Sequence, residues 1–349
     1  MDPETTTAEH EEVGSIWRRG SGLRAIVAIH STVLGPALGG TRFLPYASFD
    51  EALADVLRLS RAMSYKAALA DVELGGGKAV IIGDPAVAKT EALLIDYARF
   101  LDNFEGRYLT AEDVGTSQAD MDFLGRHTDF VTGRSAATGG SGDPSPLTAY
   151  GVVRAMEAAA RALWGSPSLA GRRVAIRGVG KVGGALAGLC ADRGAGVIVA
   201  DVSPAALARV AADVPEAVVV EPAAIHRVQC DLYAPCALGG ALNGATVPEL
   251  ACQAVCGAAN NQLETPAVES AMAARGITYV PDYVANAGGI INIAYERGGY
   301  DPDAAREHVG RIFDTTARLF EESRRSGETL GVIADRLAEA RIASSGAAG

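Results

Sequence analysis

Short apolar runs alternate along the chain with segments whose apolar residues recur at helical spacing. Leu23–Ile29 reads as a strand, followed by a Gly/Pro-rich turn from Gly35 to Gly40. Ser48 and Glu51 form a capping box that starts a helix to about Met63. Ala79–Gly83 is a short buried strand, Thr90 caps a helix to about Phe104, and Arg107–Thr110 is a strand ending in Ala111–Gly115. The small and turn-forming residues at 138–146 read as a flexible interdomain connection, followed by a helix over Leu147–Leu163. Strands at Arg173–Arg177 and Val197–Ala200 flank another helix, and helices end the chain near 302–324 and 328–342. In the first of these, Val309, Ile312, Phe313, Thr316 and Phe320 share a face. Alternating strands and helices predict an α/β fold with parallel sheets covered by helices.

The 349 residues suffice for two domains. The formal net charge is −11 with no Lys/Arg run, which argues against nucleic-acid and anionic-membrane partners. The N-terminus is acidic rather than basic and apolar, and no stretch reaches spanning length, so a cytoplasmic protein is expected. Residues 1–13 and 343–349 are expected to be poorly ordered. The five cysteines lack the His or second Cys pair of a zinc set, so buried reduced thiols and no metal site are expected.

After the strand Arg173–Arg177 comes Gly178-Val179-Gly180-Lys181-Val182-Gly183, a full G-x-G-x-x-G, then a helix and a second apolar strand ending at Asp201. This is a dinucleotide-binding Rossmann pattern in its proper context. Gly178 permits the tight turn, Gly180 lets the backbone approach a pyrophosphate, and Gly183 lets helix and strand pack closely. The helix N-terminus offers free N–H groups to phosphate. Asp201 can accept hydrogen bonds from a ribose, and its charge would repel a 2′-phosphate, which favours NAD over NADP. Lys181 either touches the pyrophosphate or points to solvent. With Arg177 it leaves the preference for NAD open to measurement.

Lys66 lies at a helix end, and Lys78 follows Gly75-Gly76-Gly77 before a buried strand. The second is no P-loop, because Val72 stands where the first glycine belongs and Ala79 where Ser/Thr would hold magnesium. Two nearby, partly desolvated ammonium groups depress each other's pKa, which makes one available as a base. Asp113, at a strand end, is the candidate carboxylate for proton transfer. The structural alternatives are a surface lysine and an aspartate capping a helix at Thr116–Leu124.

Leu34–Arg42, Ser64-Tyr65-Lys66, Gly75–Lys78, Thr110–Thr116, Ala234–Ala237, Ala258–Gln262 and Asn286–Gly289 occur in order. The set resembles the glutamate/leucine/phenylalanine/valine dehydrogenase family, most of all its valine and leucine members. The resemblance implies NAD-dependent oxidative deamination of an L-amino acid to a 2-oxo acid and ammonia. It implies that Lys66 binds the substrate carboxylate with Asn261 and the Gly39–Gly40 backbone, and that Lys78 is a low-pKa lysine activating water. Asp113 would shuttle protons, and Thr148 and Asn286 would position the nicotinamide ribose and carboxamide. The implied architecture is an N-terminal α/β substrate domain over 14–140, rejoined by helix 328–342, and a Rossmann NAD domain over 141–327, with a cleft between them. A homo-oligomer is implied, with dimer, hexamer and octamer all open.

By the same resemblance the side-chain pocket maps onto Leu38, Ala111, Ile290 and Ile293. Glutamate-specific relatives carry lysine at the position of Leu38, so glutamate is disfavoured. The two β-branched isoleucines would shorten the pocket, which favours valine, leucine, isoleucine or 2-aminobutyrate; alternatively they are helix core. An aromatic amino acid dehydrogenase is the alternative enzyme, and an NAD- or amino-acid-sensing homologue the alternative that is not one.

Overall fold

The computed structural model describes residues 9–346, and the expectation of poor order falls outside them for residues 1–8 and 347–349. The described chain divides into two compact units. One comprises residues 9–143, 293–302 and 338–346; the other comprises Pro144–Asn292 and Asp303–Leu337. The chain therefore leaves the first unit after Asp143 rather than at 140. It also returns there at Ile293–Pro302, a passage that the sequence pattern does not reveal.

The first unit holds strands β1 (Glu12–Arg18), β2 (Leu23–Ser31), β3 (Ala37–Leu44), β4 (Gly75–Ile82) and β5 (Tyr108–Glu112), with helices α1 (Phe49–Leu69), α2 (Glu91–Asp102) and α3 (Gln118–Leu124). The sheet order is β1-β2-β4-β3-β5. It is mixed rather than parallel: β1–β2 and β2–β4 pair antiparallel, while β3 runs parallel to both β4 and β5. Residues 12 and 13, expected to be disordered, are paired with Ile29 and Ala28 in β1.

Successive strand residues face opposite sides of the sheet. One side packs Ile26, Ala28, Val80 and Ile82 with Ala52, Val56 and Leu57 of α1. The other packs Ala37, Phe43, Ala79 and Ile81 with Leu93, Tyr97 and Leu101 of α2. The Ser48 side chain accepts the Glu51 N–H and starts α1 as its capping box predicts, but the helix runs on to Leu69. Gly39 and Gly40, expected in a turn, lie inside β3, and Gly75–Gly77, expected ahead of the strand, lie inside β4. A Cβ on Gly75 would stand 2.0 Å from the Ser31 carbonyl oxygen, and one on Gly76 would stand 2.0 Å from the Ser64 nitrogen. One on Gly77 would meet the Tyr108 ring at 2.7 Å. The glycines are there because β4 is squeezed between a neighbouring strand, α1 and an aromatic ring, not because the chain turns.

The second unit contains α4 (Ser145–Trp164), β6 (Arg173–Arg177), α5 (Lys181–Ala191), β7 (Gly196–Ala200), α6 (Pro204–Asp213), β8 (Val218–Val219), β9 (Leu232–Pro235), β10 (Ala254–Val255), α7 (Ala267–Ala274) and β11 (Thr278–Tyr279). The helices α8 (Gly288–Ala294), α9 (Pro302–Gly310), α10 (Ile312–Ser326) and α11 (Leu330–Gly346) follow. All pairings in its six-stranded sheet are parallel, in the order β11-β10-β9-β6-β7-β8. Counted from β6, that is the Rossmann order 3-2-1-4-5-6. Of the predicted helical stripe, Val309, Ile312, Thr316 and Phe320 are buried. Phe313 is instead half-buried under the guanidinium groups of Arg154 and Arg161, 4.7 and 4.6 Å from its ring centre. Residues 343–346, expected to be a loose tail, continue α11.

Candidate active site and dinucleotide site

The pleat of the first sheet gathers the candidate chemistry on its α1 side. Leu38 is level with Gly76 on β4 and Leu109 on β5, and Gly40 is level with Ala111. The β3–β4 offset is constant from Ala37–Gly75 to Leu44–Ile82, which sets Gly40 beside Lys78. Leu38, Gly40, Lys78, Ala111 and Asp113 therefore share one face. Lys78 is 6% exposed, and its ammonium donates to Asp113 Oδ2. Asp113 lies just beyond β5, where its Oδ1 accepts the Val114 N–H at 2.6 Å and its own N–H donates to the Thr116 hydroxyl at 2.9 Å. It does not cap the following helix, which Ser117 caps. Burial alone would raise the Asp113 carboxyl pKa. The charges of Lys78 and Arg42 and the bonds from Lys78 and Val114 outweigh burial and hold it below the ordinary aspartate value.

Arg42, 3.7 Å from Asp113 Oδ2, was not singled out from the sequence. It is two residues beyond Gly40 on the same face of β3, and reading 35–40 as a turn hid that alternation. Asp55 receives another Arg42 nitrogen at 3.0 Å and the Tyr46 hydroxyl at 2.8 Å, which fixes the guanidinium. Lys66 stands half-buried in the last turn of α1. Gly76 meets that helix at Ser64, so β4 sets the height of the Lys66 backbone over the sheet.

Gly39 and Gly40 are also tight: a Cβ on the first would stand 1.7 Å from the Gly77 oxygen, and one on the second 2.9 Å from the Asp113 Cβ. A Cβ on Gly133 would lie 3.7 Å from the Ala111 Cβ and 4.0 Å from Ile293 Cδ1, so Ala111 and Ile293 border one small space. Ile290, three residues earlier on α8, is buried and belongs to the second unit. Asn261 belongs there too, with a left-handed φ of 52° and its carbonyl accepting the Gly240 N–H.

In the second unit the strand order reverses between β6 and β9, and the glycine turn stands at that point. Gly178 has φ 94°, and a Cβ there would collide with Ala237, just past β9, at 2.7 Å. Gly183 lies under the Gly178 carbonyl, where a Cβ would sit 1.9 Å from the oxygen. Around the Cβ position of Gly180 nothing stands within 4 Å. Protein packing explains the first and third glycines but not the second, whose openness faces outward. Gly180 is also the N-cap of α5, and no side chain caps that helix. Val182 is half-buried in its first turn and Lys181 is exposed.

Asp201 binds the turn itself: Oδ2 accepts the Val179 N–H at 2.7 Å and Oδ1 accepts the Ser203 N–H at 2.8 Å. Thr148 donates to the Pro144 carbonyl at 3.0 Å, and the Cβ position of Gly289 is 3.1 Å from its hydroxyl. Asn286 is buried; its amide donates to the Ala258 carbonyl and the Asn260 side chain, whereas its Oδ1 has no hydrogen-bond partner. An open glycine at an uncapped helix N-terminus and a buried amide oxygen awaiting a donor both fit a dinucleotide carrying a pyrophosphate and a carboxamide. Burial pushes the Cys190 and Cys236 thiols up to about 12. Among the described residues, no cluster of three or more His, Cys, Asp or Glu could hold a metal, and no helix is long and apolar enough to cross a membrane.

A mixed α/β unit carrying a lysine–aspartate pair, joined in one chain to a Rossmann unit, is the two-domain architecture of the glutamate dehydrogenase-like fold. The model of the Glu/Leu/Phe/Val dehydrogenase dimerisation domain matches residues 10–130, and that of the Glutamate/Leucine/Phenylalanine/Valine dehydrogenase family matches 139–209 and 205–299. A valine dehydrogenase from Streptomyces virginiae is 52% identical over 95% of this chain and 94% of its own. A leucine dehydrogenase from Geobacillus stearothermophilus is 48% identical over 96% and 91%. Among solved structures, an L-tryptophan dehydrogenase from Nostoc punctiforme superposes with a TM-score of 0.86 at 42% identity, covering 98% of each chain. A hetero-hexameric glutamate dehydrogenase from Thermus thermophilus, at 24% identity over 97% of this chain and 90% of that one, shares the fold with a TM-score of 0.81. The chain belongs to the glutamate/leucine/phenylalanine/valine dehydrogenase family and is an amino acid dehydrogenase.

Proposed function

We propose that the protein catalyses the NAD-dependent oxidative deamination of a branched-chain aliphatic L-amino acid to its 2-oxo acid and ammonia. The observation that carries this reading is the pairing of the buried Lys78 with the half-buried Asp113, on one sheet face with Leu38 and Ala111. A proton-transfer pair beside an apolar wall suits a substrate with a reactive amine and an aliphatic side chain. The first unit is the substrate domain and the second the Rossmann domain.

Lys66 binds the substrate carboxylate with the Gly39–Gly40 backbone. The glycine turn Gly178–Gly183, Asp201, Thr148 and Asn286 would hold NAD, which when bound supplies the hydride acceptor. Asp113 takes a proton from the substrate ammonium, which frees the nitrogen lone pair for loss of the α-hydrogen. Lys78 holds the attacking water and takes its proton as the oxygen adds to the iminium carbon. Asp113 then returns a proton to nitrogen, and ammonia leaves as Asp113 takes the hydroxyl proton and the carbonyl forms. The direct hydrogen bond between Lys78 and Asp113 gives these protons a short path.

In the first unit Leu38, Ala111 and Ile293 form the side-chain pocket, and the absence of a cation at position 38 disfavours glutamate. Each methylene is worth only about 1–3 kcal/mol, so valine, leucine and isoleucine overlap as substrates. The similarity to a tryptophan dehydrogenase supports a second reading, an aromatic substrate. Rates of cofactor reduction with valine, leucine, isoleucine, phenylalanine, tryptophan and glutamate, each with NAD and NADP, test both. Highest kcat/KM on an aliphatic substrate with NAD supports the first reading; highest kcat/KM on phenylalanine or tryptophan overturns it for the second. The enzyme works as a cytoplasmic homo-oligomer, where the intracellular NAD pool is available.

A further inference from the structure

The segment from Gly133 to Gly142 has no helix or strand beyond a single 3-10 turn, yet it is anchored on two sides by carboxylates. Asp122 on α3 accepts the Ser135 N–H at 2.9 Å and the Thr138 hydroxyl at 2.7 Å. At the base of the loop, Glu296 accepts the Gly133 N–H through both oxygens, at 3.1 and 3.0 Å, and the Ser141 N–H at 2.8 Å through Oε1. The Ser141 hydroxyl donates to the same Oε1. Its residues 138–142 fall in the passage 138–146 expected to be a flexible connection, and the bonds at Thr138 and Ser141 hold that part in place.

Glu296 occupies the short passage 293–302 that belongs to the first unit, and its own N–H donates to the Ile293 carbonyl at 3.0 Å. Ile293 and Gly133, at the two ends of this clamp, border the small space beside Ala111. Four charge-assisted bonds to one carboxylate make a stiff joint, since such bonds are stronger than neutral ones. Without them, the loop bearing Gly133 loses its carboxylate tie to the passage that follows Ile293, and the space between Gly133 and Ile293 can widen.

We infer that Glu296 is a positioning residue for side-chain discrimination: it fixes the separation of Gly133 and Ile293 and so the size of the space beside Ala111. This rests on the proposed pocket role of Ala111 and Ile293. The carboxylate acts through the two backbone segments that it joins.

The test is kcat/KM for valine, leucine and phenylalanine, with KM for NAD and the thermal midpoint, in Glu296→Ala, Glu296→Gln and Ile293→Ala. Glu296→Ala is expected to lower the valine-to-phenylalanine ratio about tenfold, the scale of one methylene of discrimination. The loss should fall mainly on the amino-acid KM, with KM for NAD unchanged. Glu296→Gln keeps the Oε1 acceptor and should restore most of the ratio. If Glu296→Ala does not fold, Glu296→Asp withdraws the carboxylate by one methylene and is read in the same way. A folded Glu296→Ala with an unchanged ratio, beside an Ile293→Ala that shifts it, overturns the inference alone. A ratio unchanged in both overturns the pocket assignment and the inference with it.

Discussion

Asp201 closes the glycine turn by accepting the Val179 N–H at 2.7 Å, so the acid that would meet the ribose also braces the loop that would meet the pyrophosphate. Asp201→Ser removes the charge and weakens that brace. Val179 is 1% exposed, and leaving its N–H unpaired costs about 1–3 kcal/mol. The variant should show a lower thermal midpoint, a higher KM for NAD and a smaller gap between NAD and NADP. An unchanged NAD/NADP ratio of kcat/KM would place cofactor choice elsewhere.

Lys78→Ala leaves the Rossmann unit untouched. Turnover should fall by about 10²–10⁴-fold, the usual loss of a proton-transfer group, while NAD binds as before. Cofactor titration by fluorescence alongside steady-state rates checks both halves. A variant near the wild-type rate sinks the assignment of Lys78.

The Asp113 carboxyl titrates below the ordinary aspartate value of about 3.9 because Lys78 and Arg42 outweigh its burial. Its ionised form thus stabilises the fold at every pH above that value, and the contribution disappears as pH falls through the lowered folded-state pKa. Urea midpoints of wild type and Asp113→Asn should differ by a constant amount from pH 5 to 8 and converge below about pH 4. A gap that varies across neutral pH instead contradicts this account.

Gly76→Ala places a methyl 2.0 Å from the Ser64 nitrogen. The helix must move off β4, at a cost of about 1–3 kcal/mol for overpacking. Because Lys66 follows Ser64 by two residues, KM for the amino acid should rise while KM for NAD does not. Equal stability and equal KM would show that α1 yields there without moving Lys66.

Local signals made the second unit legible. Its strands β6 and β7, its glycine turn and Asp201 are each recognisable from a few neighbouring residues, whereas β8 to β11 are too short to stand out, and its sheet is parallel throughout. The first unit was legible mainly through its motifs. Gly39, Gly40 and Gly75–Gly77 carry no strand propensity, so a propensity reading breaks β3 and β4 where they are most tightly packed. β1 was missed because its acidic start resembles a loose terminus, whereas its order comes from pairing with β2. Arg42 and Glu296 are set by strand register and by a bond between residues 155 apart or more, which no local pattern encodes.

The first unit also draws on residues at both ends of the described chain. The Tyr65 hydroxyl donates to Glu339 at 2.6 Å, and Arg341 binds the Ala68 carbonyl and Asp71 at the end of α1. A chain emerging from the ribosome meets these partners only after the whole Rossmann unit has been made. The helix bearing Lys66 is therefore secured last, and an enzyme interrupted before residue 339 would hold a nucleotide fold beside an unfinished catalytic one.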